Sequence, residues 1–235
     1  PPGSVTPEML AGMLAAEAAS TVNPITVEYV SASTKQIDNT TYLSAGMAVF
    51  FLFFTVAFGV SGLLEERRIG TMVRLLAAPI SRTSIIVGKA LTSFVLGILS
   101  MSVLVVASSL LIGAEWGDPL GVALLIVAAV IAAMGILAVV AAVAKNQEQA
   151  GNFQAIIAIV LAFLGGTFFT VAQVGGFMET LSLFTPHAWF LRGLGDLQGG
   201  DVADVLPSVG ALLAFGLVTG GLAWFFLVKA VGRTR

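Results

Sequence analysis

Cysteine is absent from this sequence, and histidine occurs once, at His187. The first absence excludes a disulfide framework, a thiolate nucleophile and a cysteine-based metal site within these residues. The second excludes a multi-histidine metal site in one chain. Charged residues are also scarce, at 10% of the sequence, against about 25% in an ordinary soluble domain. We therefore expect neither a catalytic residue nor a metal site.

Apolar residues are what the sequence has in excess, at 57% of its 235 residues. An α-helix needs roughly 20 apolar residues to cross about 30 Å of hydrocarbon. Five such windows, each without a charged interior residue, cover residues 42–64, 90–113, 120–144, 153–174 and 206–228. Backbone polar groups find no hydrogen-bond partner in lipid, so a spanning segment is an α-helix or a strand of a closed barrel. The alternation of apolar and polar residues that barrel strands show is absent from these windows. The sequence predicts an all-α, polytopic membrane helix bundle with five spanning helices.

Basic residues lie almost entirely on one side of these spans. Nine of the eleven do so: Arg67, Arg68, Arg74, Arg82, Lys89, Lys145, Lys229, Arg233 and Arg235. By the positive-inside rule this side is cytoplasmic, together with the C-terminus, while residues 1–41, 115–119 and 175–207 lie outside. We expect a multi-pass protein of the cell membrane, of the bacterial plasma-membrane type.

An odd number of spans with an external N-terminal segment indicates that the natural polypeptide extends upstream and carries at least one further spanning helix. The sequence begins Pro1-Pro2-Gly3, without an initiating methionine. Residues 1–41 are interpreted as the remnant of an external domain, with a helix over 6–20 and a strand around Ile25 to Tyr29. Residues 42–235 form the transmembrane domain.

The loop after the first span has the pattern of a short amphipathic helix. Its apolar residues recur at i, i+3, i+4 and i+7, namely Ile69, Met72, Val73 and Leu76. Pro79 ends this helix, and Ser81 fits the N-cap of the next one. Lys89 lies at the membrane boundary, where its stem can snorkel. The spacing leaves two functions open: an anchor on anionic lipid, or a lever that receives force from a cytoplasmic partner.

The same loop resembles the characteristic loop of ABC-2 type permeases, the membrane subunits of ATP-driven exporters. Matching segments run in order from about Tyr42 to the C-terminus. They are Glu65-Glu66-Arg67, Gly70-Thr71, Arg74-Leu75-Leu76, Pro79, Ser81-Arg82, Gly88-Lys89, Asn146-Gln147-Glu148-Gln149-Ala150, Gly165-Gly166-Thr167-Phe168-Phe169, Pro186 and Trp189. Members of the family have six spans, so the resemblance implies that the five seen here are spans two to six.

The resemblance also implies a role for the loop and a set of partners. In the family it forms a coupling helix in a groove of an ATPase subunit, which makes Glu65, Glu66, Arg67, Gly70, Thr71 and Arg74 the coupling positions. Glu65 and Glu66 are suited to pair with basic groups or to stabilise the helix's positive N-terminal end. The sequence has no G-x-x-x-x-G-K-[ST] motif. ATP hydrolysis is therefore expected on a separate polypeptide or on a domain outside this sequence. In many relatives it is a separate subunit, so the resemblance implies ATP and Mg on a partner ATPase, no cofactor bound by this chain, and a second permease copy in a homodimer or heterodimer.

The segment at 175–207 is more apolar than a simple connector. Breaks at Pro186 and at Gly199-Gly200 suggest a re-entrant helical hairpin, as the family is known for. It would form an external gate with Phe168, Phe169, Pro186 and Trp189. The alternative is a flat interfacial loop with Trp189 as an aromatic-belt anchor. We interpret His187 as structural or interfacial, because no carboxylate inside a span offers a second member of a proton relay.

An apolar pathway without midplane charges suits lipophilic or amphipathic cargo such as a drug, an antibiotic or a lipid-like molecule. Five phenylalanines of the first span form an aromatic surface that faces lipid, a partner protomer or cargo: Phe50, Phe51, Phe53, Phe54 and Phe58. The expected function is that of the permease subunit of an ATP-binding cassette exporter, in contact with membrane lipid and with no nucleic acid. Two alternatives remain: a membrane scaffold or signalling subunit, and an ion-coupled transporter or channel.

Overall fold

The computed structural model describes residues 8–9, 11–12, 37–71, 77 and 81–232. The chain divides into two compact units, Pro1–Thr34 and Lys35–Arg235. The described residues of the first unit are helical, within the helix predicted over 6–20. The predicted strand around Ile25 to Tyr29 lies outside the described residues. The second unit holds the long apolar helices.

Helices make up the second unit, and its described residues contain no strand. In chain order they are α1 (Asn39–Arg68), α2 (Arg82–Ile112), α3 (Pro119–Val143), α4 (Gln147–Leu164), α5 (Val171–Val174), α6 (Gly176–Ser182), α7 (Pro186–Leu197), a 3-10 turn (Val202–Val205) and α8 (Leu206–Gly232). Within the described part, four segments are long and apolar enough to cross a membrane: Asn39–Gly62, Thr83–Ile112, Pro119–Val143 and Val202–Phe226. The predicted all-α membrane bundle is confirmed, whereas within the described part four of the five predicted spans meet this criterion.

Polar residues fix where the first two spans begin. The Asp38 carboxylate accepts hydrogen bonds from the backbone N–H groups of Thr40 (2.9 Å) and Thr41 (3.1 Å), so α1 begins at Asn39. Ser81 is the N-cap of α2, as predicted, and its hydroxyl accepts from the backbone N–H of Ser84 at 3.0 Å. Because this cap lies well before the apolar window, α2 extends beyond the predicted span toward the basic loop.

The C-terminal end of α1 also differs from the prediction. The apolar window stops at Leu64, but the helix continues through Glu65 and Glu66 to Arg68. The backbone N–H of Ile69 still bonds to the Glu65 carbonyl at 3.0 Å, and the chain turns at Gly70, whose φ is +80°. Hydropathy marks the limit of the apolar segment, whereas the helix persists until a residue leaves helical geometry.

The predicted fourth span, 153–174, is not one helix. Asn146 caps α4 through a bond from the Gln149 N–H (2.8 Å), and the helix ends at Leu164. Gly165 and Gly166 follow, the latter with φ +74°, before the short helix α5. The 18 residues of α4 reach about 27 Å at 1.5 Å per residue. A hydropathy window bridges this break because both sides of it are apolar.

The most extensive helix pair is α3 with α8, and α3 is the most enclosed of the long helices. Glycines allow this contact. A Cβ atom on Gly135 would lie 2.5 Å from the Gly216 carbonyl oxygen. A Cβ on Gly216 would lie 2.7 Å from the Ile131 carbonyl oxygen. Small residues let helix backbones approach where lipid provides no hydrophobic driving force between helices.

The two ends of the bundle differ in charge. We call the end with the 69–81 loop, Lys89 and Lys145 the basic end. The acidic end carries Asp38, Glu115, Asp118, Glu179, Asp196, Asp201 and Asp204. At the acidic end the Glu115 N–H bonds to the Thr41 hydroxyl at 2.8 Å, and Gln198 donates to the Glu115 carbonyl at 2.7 Å. These bonds place the start of α1 level with the turn between α2 and α3.

The contact between α3 and α8 predicts a position-specific effect of alanine. We expect Gly216→Ala to lower the free energy of unfolding by about 1–3 kcal/mol, because the new methyl group overlaps Ile131. Gly220→Ala, in the same helix with no atom within 4 Å of its Cβ position, is the matched control and should not destabilise. Thermal unfolding in detergent compares the two. Equal melting temperatures would contradict this packing.

Candidate functional site: the basic end, the re-entrant hairpin and an aromatic groove

Two ion pairs lie where α1 ends. Glu65 and Arg68 form a two-pronged contact within the last turn, with Oε1–Nη2 at 2.6 Å and Oε2–Nε at 3.0 Å. This exposed pair lowers the pKa of Glu65 through the hydrogen bond from Arg68. Glu66 instead reaches across to α2, where its Oε1 lies 2.5 Å from Lys89 Nζ. The predicted pairing with basic groups is confirmed, but both glutamates lie at the C-terminal end of α1.

The remaining predicted coupling residues lie at the start of the basic loop. Arg67 is in the last turn of α1, Gly70 forms the left-handed turn, and the Thr71 hydroxyl donates to the Glu66 carbonyl at 3.3 Å. Arg74 and most of the predicted amphipathic helix, 72–76, lie outside the described residues. The coupling role of these positions stays a prediction.

A helical hairpin follows the break after α4. Its limbs are α6 and α7, and its tip is the turn at Leu183, Phe184 and Thr185. Thr185 caps α7 through a bond from the Ala188 N–H (3.3 Å), and Pro186 is the first helical residue, where it needs no hydrogen-bond donor. The predicted break at Pro186 is confirmed, and the segment is not a flat loop.

The tip of the hairpin lies deep in the bundle. The His187 ring stacks on Phe53 with centroids 4.5 Å apart, and its Cβ would lie 2.5 Å from a Cβ on Gly165. Phe53 is twelve residues along α1 from Thr41, which is about 18 Å from the acidic end. From there α7 returns outward, so that Leu197 packs against Gly121 at the start of α3. The segment thus runs into the bundle and back out, and its re-entrant position in the membrane stays a prediction.

His187 is completely buried, and neither ring nitrogen has a hydrogen-bond partner in the part of the chain that the structure describes. Its surroundings are Phe53, the Gly165 backbone and the start of its own helix. The interpretation of His187 as a structural residue agrees with this position.

The four predicted gate residues occupy two places. Phe168 packs edge-on against Phe50 (5.4 Å), and Phe169 packs against Phe163 (5.2 Å), both in the stretch between α4 and α5. Pro186 and Trp189 belong to α7. The Trp189 indole donates to the Leu183 carbonyl at 2.8 Å and so closes the hairpin turn. Among the described residues, no ring contact joins the two phenylalanines to Trp189.

An aromatic groove runs between α1 and α4. Its volume is about 220 Å³, and its lining carries no charge: Phe53, Phe54, Ala57, Phe58, Ser61, Gln147, Gly151, Gln154, Ala155 and Ala158. Gln154 is held by a bond from Ser61 Oγ to its Oε1 (2.8 Å) and by its own bond to the Leu137 carbonyl (3.1 Å). This buried network joins α1, α3 and α4.

A second and larger cavity, of about 910 Å³, opens at the acidic end between α1, α7 and α8. It differs from the groove in that charged residues, Glu179, Arg192 and Asp196, are part of its lining. The Arg192 guanidinium lies 5.6 Å from the centre of the Trp189 ring, within the range of a cation–π contact. Phe53 lines the groove and Gly165 lines this cavity, and His187 packs against both residues.

The described residues contain no group of three or more His, Asp or Glu side chains placed to hold a metal ion. The sequence profile of ABC-2 family transporter proteins matches residues 4–225. The chain belongs to the ABC-2 transporter family. Over 186 residues it is also 30% identical to the linearmycin resistance permease protein LnrN of Bacillus subtilis (strain 168). That match covers 78% of this chain and 48% of LnrN, so the chain spans about half the length of this curated relative.

Membership of the ABC-2 family confirms the resemblance drawn from the loop motifs and, with the apolar helices, makes the chain a multi-pass membrane protein of that family. Sequence reasoning missed the Gln154 network and the pairing of Glu66 with Lys89. Gln154 carried a local signal, since it is a polar residue within an apolar helix, where polar side chains usually bond to a neighbouring helix. No local pattern in the sequence marked Lys89 as the partner of Glu66.

The re-entrant course predicts a depth for the hairpin tip. A spin label at Phe184→Cys should lie roughly 15 Å deeper than one at Leu120→Cys, because Phe184 is in the tip of the hairpin and Leu120 is at the acidic end. Both native side chains are exposed, at 71% and 62%, and the chain has no other cysteine. Relaxation by oxygen and by a polar nickel complex measures the depth. Equal depths would contradict a re-entrant hairpin.

Proposed function

We propose that this chain is the membrane-spanning permease subunit of an ATP-binding cassette exporter. It would move a lipophilic or amphipathic molecule out of the cell with ATP hydrolysed by a partner ATPase. The observation that carries the proposal is the uncharged aromatic groove between α1 and α4, in a chain of the ABC-2 family.

The groove has the composition of a site for apolar cargo. Ligand sites are mostly apolar with a few polar groups that orient the ligand. Here three phenylalanines form the wall, and Gln147 and Gln154 supply the polar groups. Phe58 is 80% exposed, so the groove is open on one side in the single chain. A second permease copy against this side would enclose the pathway.

The basic end is the proposed site of contact with the ATPase. The positive-inside rule places it in the cytoplasm, where nucleotide is available. The loop leaves α1 at Gly70 and re-enters the bundle at Ser81, so a force applied to it acts directly on α1 and α2. ATP and Mg belong to the partner in this proposal.

The two alternatives are less well supported. An ion-coupled transporter usually carries ionisable groups at the membrane midplane, and the groove is lined without them. A scaffold requires neither a groove nor a re-entrant hairpin. The relative's name, linearmycin resistance permease, makes an antibiotic-like cargo the first one to test.

The test is reconstitution of the full-length permease with its partner ATPase in proteoliposomes. We expect ATP-dependent movement of an amphipathic antibiotic, and none with an ATPase that binds but does not hydrolyse ATP. Movement driven by an ion gradient without ATP would favour the ion-coupled alternative. Stable assembly without movement of any apolar cargo would favour the scaffold.

Shortening the groove wall should weaken cargo binding. We expect Phe54→Ala to raise the half-saturating cargo concentration by about 5–30-fold, since loss of a buried aromatic contact costs about 1–2 kcal/mol. Phe225→Ala in α8, a 59% exposed phenylalanine away from the groove, is the control and should leave this concentration unchanged. An equal effect of both variants would exclude the groove as the cargo site.

A further inference from the structure

The second long helix extends past the first at the basic end. Lys89 lies seven residues into α2, and Glu66 lies two residues before the end of α1. At 1.5 Å per residue, α2 continues for about 10 Å beyond Lys89, whereas α1 continues for about 3 Å beyond Glu66. The extension is solvent-accessible, with Val87 56% exposed. It forms an arm between the basic loop and the bundle.

Close helix packing begins beside Lys89. A Cβ on Gly59 would lie 2.8 Å from Ser93 Cα, so the two backbones are nearly in contact there. One turn nearer the basic end, a Cβ on Gly62 would lie 3.4 Å from Lys89 Nζ. The Lys89 stem thus lies over Gly62 and delivers its ammonium group to Glu66. The ion pair joins α1 and α2 where the arm begins.

This ion pair is partly shielded from water. The Lys89 and Glu66 side chains are 34% and 19% exposed, and their charged atoms are 2.5 Å apart. The second oxygen of Glu66, Oε2, is buried without a hydrogen-bond partner within the described ranges. Loss of Lys89 would therefore leave a shielded carboxylate without its counter-charge, which is unfavourable in this setting. The pair Glu65–Arg68, by contrast, lies within one helix and cannot join two.

We propose that Glu66 and Lys89 are positioning residues that lock the ends of α1 and α2 into one lever. A displacement of the basic loop then tilts both spans together, and α1 carries one wall of the aromatic groove. Without the lock, the arm of α2 bends alone and the groove does not respond. This inference rests on the proposed exporter function. It gives Glu66 a role inside the permease, in contrast to contact with the ATPase.

The test compares single and exchanged charges in the complete complex with its ATPase. Glu66→Gln and Lys89→Met each remove one charge, and Glu66→Lys with Lys89→Glu restores the pair in reverse. We expect each single variant to keep ATP hydrolysis within about twofold and to lower the cargo moved per ATP at least about tenfold, equivalent to about 1.4 kcal/mol. The double exchange should recover most of this ratio.

The control removes a charge far from the proposed ATPase contact. Glu115→Gln changes an exposed side chain at the acidic end, and it should leave the ratio unchanged. An unchanged ratio in the single variants would overturn the lever. So would a parallel loss of hydrolysis and transport that the exchange does not restore, because that is the result of a purely structural pair.

A measurement without cargo separates this proposal from the exporter proposal. The unaltered protein, Glu66→Gln, Lys89→Met and the variant that carries both of these substitutions form a double-mutant cycle, whose melting temperatures report the energetic coupling of Glu66 to Lys89 directly. If the cycle shows coupling but the unaltered complex moves no cargo with ATP, the exporter function is overturned, and the lever with it. If the unaltered complex transports cargo but the cycle shows no coupling between Glu66 and Lys89, only the lever is overturned.

Discussion

A backbone polar group without a partner is costly in hydrocarbon, and the arrangement of this bundle depends on meeting that requirement where helices break. The main break follows α4. There the Tyr42 hydroxyl donates toward the carbonyls of Gly166 and Phe169, the latter at 3.0 Å, and the Thr167 N–H bonds to the Ala162 carbonyl at 3.0 Å. With these bonds in place the chain can leave helical geometry inside the bundle and turn back as a hairpin.

Glycines allow the hairpin to enter. Gly165 admits the start of α7 against α4, and Gly193 admits α7 against Leu125, where an added Cβ would lie 2.6 Å from the leucine Cδ2. The α3–α8 contact depends on glycines in the same way. Close approach of backbones replaces the hydrophobic driving force that lipid cannot supply between helices. The close packing of the bundle and the position of its hairpin therefore have the same physical origin.

Charged residues of the described part of the bundle lie toward its two ends, and each end has a different role. At the acidic end, hydrogen bonds around Glu115 and Asp118 hold the start of α1 and α3 and the hairpin limb in register. At the basic end, Glu66 and Lys89 join the helices on either side of the loop. Between the ends lies an uncharged aromatic groove. This distribution suits a transporter that receives energy at one end and offers an apolar surface to its cargo.

The sequence alone determined the class of fold, most span boundaries and the Ser81 cap, because hydropathy and helix capping act within a few neighbouring residues. It also indicated the hairpin from Pro186, and the ABC-2 family from ordered motifs. Only the tertiary structure decided where α4 ends, how deep His187 lies, and that Glu66 meets Lys89. Each of these features depends on which helices pack together. Gly165 allows a close contact only because α7 lies beside it, and Glu66 at a helix end has several basic residues within reach. Local sequence patterns do not show which helix or which basic residue will be the neighbour, because packing between helices decides that.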